Sequence, residues 1–239
     1  MEKLWLDLRE NLWFVLVCAG IVLALMLLAK LAERFLPQRR KVSVARRVSI
    51  VGICSALAAV LHILDFPLIF LAPEFYKLDF SEIPVLLCGF YLGPSATVVC
   101  EGVKILLKLL LKGTSTAFVG DLANFAVGCS LVLPATILYH IRKTKPGAIL
   151  GLGVGTGILT VFGSAFNAIY LLPKFAQLYG MPLEAIISLG TKVNPGVTNV
   201  TTFVLLCVAP LNLVKGISVS ALTLLLYKRV EKVLFRHKS

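Results

Sequence analysis

The run Leu78-Asp79-Phe80-Ser81-Glu82-Ile83-Pro84, with the stretch that follows it to Gly128, decides how this chain folds. After an apolar span broken at Gly93-Pro94, residues 94–112 read Pro-Ser-Ala-Thr-Val-Val-Cys-Glu-Gly-Val-Lys-Ile-Leu-Leu-Lys-Leu-Leu-Leu-Lys. Glu101, Lys104, Lys108 and Lys112 fall at i, i+3, i+7 and i+11, one stripe of a helix. Gly113-Thr114-Ser115-Thr116 and Gly120-Asp121-Leu122-Ala123-Asn124-Phe125 close the stretch. Nearly every residue around these polar groups is apolar, so the setting is a bilayer, where ionisable groups are costly and mark sites. The nine Leu, Ile and Val residues from Pro94 to Leu111 favour insertion by roughly 3 to 5 kcal/mol. One Glu and two Lys near mid-helix oppose it by roughly 7 to 10 kcal/mol, of which Lys108 recovers a part by snorkelling. A lipid-exposed helix of this composition does not insert. The charged stripe must face other helices or a wet cavity.

The rest of the composition agrees. A chain of 239 residues that is 58% apolar, 15% charged and of mean hydropathy +0.91 lies outside the range of soluble domains. The net charge of +12 does not point to nucleic acid, because 15 of the 24 Lys and Arg fall in three segments, 30–47, 142–145 and 228–238. The positive-inside rule puts all three in the cytoplasm. Seven spans with the N-terminus outside and the C-terminus cytoplasmic satisfy that count. The six cysteines sit singly in apolar stretches and read as reduced packing residues. His62, His140 and His237 are scattered, and no metal spacing is present.

Leu12 to Ala29 is uncharged and long enough to span. Acids precede it and no cleavage site follows, so it reads as an uncleaved helix rather than a signal peptide. From Val48 to about Leu64 runs a second span, in which Gly52/Ala56 and Ser55/Ala59 form small-xxx-small pairs. These suit either internal packing or a face for a partner helix. Asp65 to Ser81 is an external loop whose aromatics include Phe66, Phe70, Phe75 and Tyr76, apolar enough to fold over a site or to anchor at the interface. Residues 82–92 form a short span, and the helix after the GTST turn is expected from about Ala117 to Ile141. Thr116 or Ser115 can cap it, and Asp121 has both a helix-start role and a ligand role open to it.

Gly151, Gly153, Gly155 and Gly157 alternate in the next span. With no strand before them, they signal close helix packing and not a dinucleotide fold. The span ends in Phe166-Asn167-Ala168-Ile169-Tyr170-Leu171-Leu172-Pro173. Lys174 to Val197 reads as a polar external loop. The last span, from about Thr198, carries Pro210-Leu211-Asn212-Leu213-Val214-Lys215-Gly216, with Asn212 and Lys215 on one face. A lysine midway along an apolar helix needs a partner. Glu101 and Asp121 are the acids considered for it, and donation to a ligand carbonyl is the second role.

The LDFSEIP run, the Glu101…Lys104 pair, the GTST turn, the GDLANF helix start, the Asn-x-x-Tyr-x-x-Pro pattern and the PLNLVKG run resemble the substrate-binding (S) components of energy-coupling factor (ECF) vitamin transporters. Within that family they look most like the riboflavin-specific members. The resemblance covers roughly residues 45–230. It implies an all-α integral membrane protein: a six-helix S-component bundle over residues 42–239, plus one extra transmembrane helix and basic linker over residues 1–41. It implies a bacterial cell membrane, riboflavin as the transported ligand with no resident cofactor, and as partners one membrane coupling subunit and two ATPases. By resemblance and chemistry the ligand set is Asn167, Asn212, Lys215, Lys104, Asp121 and Asn124, with Phe75, Tyr76 and Leu78 on the covering loop. The Gly52, Ser55, Ala56 and Ala59 face then docks the coupling subunit. One departure stands out: members usually carry Asn directly after the equivalent of Lys104, where this chain has Ile105, one polar contact fewer.

A flat tricyclic ring needs apolar walls and a few convergent donors, which Asn167, Asn212 and Lys215 supply. Lys104, Asp121 and Asn124 are placed to meet ribityl hydroxyls. The chain lacks a G-x-x-x-x-G-K-[ST] loop, so ATP hydrolysis must come from partners. An intramembrane enzyme is the competing class, and it finds neither H-E-x-x-H nor a nucleophile–base set here. Other ligands open to an S component are FMN, another flavin, or thiamin.

Overall fold

A computed structural model describes residues 12–36 and 42–234 of the chain. The Arg39-Arg40-Lys41 part of the basic linker and the final bases Arg236 and Lys238 lie outside the described residues. Helices α1 (Leu12–Arg34) and α2 (Val44–Ile63) lead to a small hairpin in which β1 (Phe66–Pro67) pairs antiparallel with β2 (Lys77–Leu78). Helix α3 (Glu82–Leu92) and helix α4 (Pro94–Lys112) meet at Gly93, whose φ of 103° is open to glycine. Proline at the first position of α4 suits its first turn. Helix α5 (Val119–Ile141) follows. Helix α6 (Lys145–Phe166) passes through a π turn, Asn167–Leu171, into α7 (Leu172–Tyr179). Helix α8 (Leu183–Val193) precedes α9 (Val200–Phe203), a second π turn, Val204–Val208, and the long α10 (Ala209–Leu234).

Among the described residues four helical paths are long and apolar enough to cross a membrane: Val44–Ile63, Val119–Ile141, Lys145–Tyr179 and Val200–Tyr227. Helix α4 is set apart by its charges, and these point inward as the insertion cost requires. Glu101 and Lys104 are fully buried, while Leu106, Leu110 and Leu111 are exposed on the other side. Helix α3 spans only ~16 Å at 11 residues, about half of a ~30 Å hydrocarbon core. The chain before it must therefore enter the bundle, which carries Asp79 and Glu82 inside.

The described parts of the basic segments, among them Arg46 over the Tyr91 ring, lie at one end. There Glu33 Oε1 accepts the Ser95 backbone N–H (2.6 Å) and Arg47 donates to Ser95 Oγ (2.9 Å). Phe90, Tyr139 and Tyr227 pack as an aromatic group at the same end. Helix α1 lies against α4 and α5, where Ala29 is buried with Val98, Ile105, Phe125, Cys129 and Leu133. The alternating glycines divide by side. A Cβ at Gly151 would stand 2.6 Å from Ala135 O and one at Gly155 2.5 Å from Leu131 O, so only glycine lets α6 approach α5 this closely. Gly153 and Gly157 face open space.

Four expectations need correction. Residues 174–197 are not a loop: α7 and α8 fold over the bundle, separated by Gly180 in a left-handed cap. Helix α5 begins at Val119, because Ala117 and Phe118 take positive φ, and Thr114 and Thr116 hydroxyls accept the N–H groups of Phe118 and Gly120. The small residues of α2 do not form one outward face. Ser55 and Ala59 are buried, with Ser55 Oγ donating to Cys100 O at 3.2 Å, whereas Gly52 and Ala56 are exposed. The cysteines are not all solitary, since Cys54, Cys88 and Cys100 sit side by side between α2, α3 and α4.

Candidate functional site

At the end opposite the basic segments the bundle holds a cavity of about 550 Å³, within the range of small-molecule sites. The ends of α2, α4, α5, α6 and α10 and the hairpin surround it. Of the residues singled out in the sequence, Asn167, Asn212, Lys215, Asp121, Asn124, Phe75 and Tyr76 line it. Lys104 and Leu78 do not. Leu78 is buried within the hairpin, and Lys104 is sealed beneath the floor at 0% exposure. Its ammonium is occupied by Glu101, by Ser81 Oγ (3.1 Å), by Asn124 Oδ1 (3.4 Å) and by Glu82 at 3.6 Å.

The floor is an ionic layer. Lys215 Nζ donates to Asp79 Oδ2 at 3.0 Å and lies 3.1 Å from Glu82 Oε1. Its partners are thus these two acids and not Glu101 or Asp121. The reason is the short α3, which brings the end of the hairpin segment down to α10. Asp79 is itself fixed, since its Oδ1 accepts the Ser81 backbone N–H (2.9 Å). His62 of α2 borders the cavity with Nδ1 3.5 Å from Asp79 Oδ2. Asp121 pairs with Lys108 at 2.6 Å, and Lys108 also donates to Gly113 O (3.0 Å). Helix-start position and ion-pair partner are therefore both roles of Asp121. At the mouth Asp65 meets Lys77 (3.3 Å) and Lys112 (3.5 Å), tying the hairpin to α4.

The two asparagines differ. Asn167 sits at the start of the π turn, where the Leu172 N–H reaches back to Asn167 O just before Pro173. The wider turn accommodates a proline that has no N–H to give and whose ring crowds the preceding turn. Its side-chain carbonyl accepts the Tyr76 hydroxyl at 2.6 Å and its amide donates to Gly163 O at 2.7 Å. Burial pushes the Tyr76 phenol well above its ordinary value, so it stays a neutral donor. Phe75 and Phe203 flank Tyr76 at 4.6 and 6.1 Å between ring centroids. Asn212 is placed one helical turn before Lys215, and its Nδ2 is buried without a hydrogen-bond partner. Gly163 makes room for it: a Cβ there would stand 2.7 Å from that nitrogen.

Sequence reasoning missed His62, Asp79, Glu82, Phe175 and Tyr179 at or under the cavity. The LDFSEIP run held the signal for the two acids, since buried carboxylates need cations as much as Lys215 needs anions.

An apolar helical bundle with an aromatic-walled, ion-floored cavity at one end defines a membrane-embedded small-molecule-binding protein. The family profile described as ECF transporter, substrate-specific component, matches residues 46–227. The chain is 35% identical over 200 residues to the riboflavin transporter RibU of Staphylococcus aureus (strain TCH60), covering 83% of this chain and 98% of that protein. It is 27% identical over 195 residues to the riboflavin transporter FmnP of Bacillus subtilis (strain 168), covering 81% and 96%. A solved structure of the S component of a bacterial ECF transporter superposes with a TM-score of 0.63 at 34% identity, over 81% of this chain and all of that one. The chain belongs to the ECF transporter family as a substrate-specific component, an all-α multi-pass membrane protein.

Proposed function

We propose that the chain is the high-affinity riboflavin-binding subunit of an ECF-type importer. One observation carries the ligand reading: the Asn212 amide nitrogen is buried and unpartnered on the cavity wall, beside an ammonium that faces the same space. A buried donor left unmade costs about 1–3 kcal/mol, so this geometry is suited to a ligand that brings acceptors. A flavin ring does so through its carbonyls and ring nitrogens, while Phe75, Tyr76, Leu171 and Phe175 offer the apolar walls. Asp121, Asn124 and the hydroxyls of Thr114–Thr116 suit the ribityl chain. The relatives named riboflavin transporters support the same ligand.

On this reading six helices form the binding body over residues 42–239. Helix α1 is an addition, outside the matched span, that with its linker makes up residues 1–41. The cavity opens to the outside, the N-terminus is external and the C-terminus cytoplasmic, and the gathered basic residues support that orientation. The chain delivers its ligand by association with a membrane coupling subunit and two ATPases, and performs no chemistry on it. Titration of flavin fluorescence with the purified protein is expected to show one-to-one quenching at sub-micromolar affinity. Quenching absent, with thiamin bound instead, overturns the riboflavin assignment while leaving the family intact. In the same assay Lys215→Met and Asn212→Leu are expected to weaken binding by about 10- to 150-fold, the value of a hydrogen bond to a charged group.

A further inference from the structure

We infer that Glu82 is a positioning residue of the ligand site, acting through Lys215 although it cannot touch the ligand itself; the inference rests on the flavin-binding reading above. Glu82 is 1% exposed and does not border the cavity. Its Oε1 nevertheless lies 3.1 Å from Lys215 Nζ, opposite Asp79 Oδ2 at 3.0 Å. An ammonium carries three N–H donors on a flexible four-carbon stem. Asp79 Oδ2 takes one of them in a hydrogen bond, and the Glu82 carboxylate, an ion-pair partner at 3.1 Å that accepts no hydrogen bond, draws the ammonium towards itself, leaving N–H donors for the cavity. Remove the Glu82 charge and that attraction is gone, so the ammonium is free to shift and the direction of its N–H donors towards the cavity is lost.

The same carboxylate is oriented from behind. Lys104 lies 3.6 Å from Glu82 Oε1 and is held in turn by Glu101, Ser81 Oγ and Asn124 Oδ1. Gly128 on α5 lacks the Cβ that would run into the Glu101 carboxylate and would lie 3.5 Å from Glu82 Oε1. The chain of contacts Lys104–Glu82–Lys215 therefore transmits a rigid bundle interior to one donor on the cavity floor. It also gives Lys104 an indirect part in a site that it does not reach.

A double-mutant cycle tests this, because a group acting through Lys215 has nothing to act on once Lys215 is gone. Glu82→Gln is expected to weaken flavin binding about 10- to 100-fold in the parent. In a Lys215→Met background the same change is expected to alter affinity by less than about threefold. Equal losses in both backgrounds would show Glu82 to be merely structural and overturn the inference. Glu82→Met gives the same comparison if Glu82→Gln does not yield monodisperse protein; additivity there overturns the inference equally. Absence of quenching by the parent removes the flavin reading and this inference with it. Additivity in a parent that does bind removes the inference alone.

Discussion

Asp79 and Lys215, 136 positions apart in the chain, meet at 3.0 Å on the floor of the cavity, one from the segment before α3 and the other from α10. Both side chains are largely withdrawn from solvent, at 3% and 12% exposure. Removing one member of such a pair leaves the other charge uncompensated, which costs about 3–5 kcal/mol. Lys215→Met is therefore expected to lower thermal stability as well as affinity, and Asn212→Leu to lower affinity alone. Melting curves beside the flavin titrations separate the two effects; equal stability loss in both variants contradicts the pairing.

Gly163→Ala is a volume test of the site. The added methyl would come within 2.7 Å of the Asn212 amide nitrogen, and so must turn that amide away from the cavity or part α6 from α10. Overpacking of this kind costs about 1–3 kcal/mol. Flavin affinity is expected to fall at least tenfold, measured by fluorescence quenching. Gly157→Ala, on the same helix and facing open space, is the matched control and is expected to bind as the parent does.

Helix α1 is expected to contribute stability and not affinity. The buried residues packed around its Ala29, namely Val98, Ile105, Phe125, Cys129 and Leu133, do not border the cavity, and it supplies the Glu33 carboxylate to the buried first turn of α4. A capping hydrogen bond of this type contributes about 1 kcal/mol. A chain beginning near Gln38 is expected to hold riboflavin within about threefold of the parent affinity and to melt at a lower temperature. Loss of binding by a stable, monodisperse shortened chain would show that α1 shapes the site.

For coupling, the outward part of α2 is the face to probe. Gly52 has open space around it and Ala56 is exposed beside Ile53, Leu57 and Val60. Gly52→Trp with Ala56→Trp fills that groove without reaching the cavity. Detergent binding is expected to persist while ATP-dependent uptake in vesicles with the full transporter collapses. Uptake intact with both tryptophans in place moves the docking face elsewhere. Ala59→Trp is a different experiment, because Ala59 is buried against the bundle, and it is expected to destabilise the fold outright.

The inward stripe of α4 was legible because the insertion cost of Glu101 and Lys104 left no other arrangement. The need of Lys215 for a counter-ion was legible on the same grounds, but the identity of that counter-ion was not. It depends on how deep the residues before α3 descend, a matter of helix length and tertiary packing rather than of local pattern. Residues 174–197 misled for a local reason: Pro173, Gly180 and Pro182 punctuate the segment like a loop. Just after those breaks, however, Ile186 and Gly190 share a buried face of α8. The small residues of α2 carried a true signal for close approach, but two helix partners on different sides produce the same spacing, and only packing distinguishes them.

Among the described residues, the aromatic group of Phe90, Tyr139 and Tyr227 at the basic end and the ion pairs above it fill the bundle beneath the cavity. A solute resting on Lys215 could go further only by parting Asp79, Glu82, Glu101 and Lys104 in a medium that cannot rehydrate them. The small fluctuations of side chains do not supply that much work. Taken alone, then, this chain is expected to be a receptacle and not a conduit: vesicles containing it and nothing else should capture flavin on one face and remain tight to its passage.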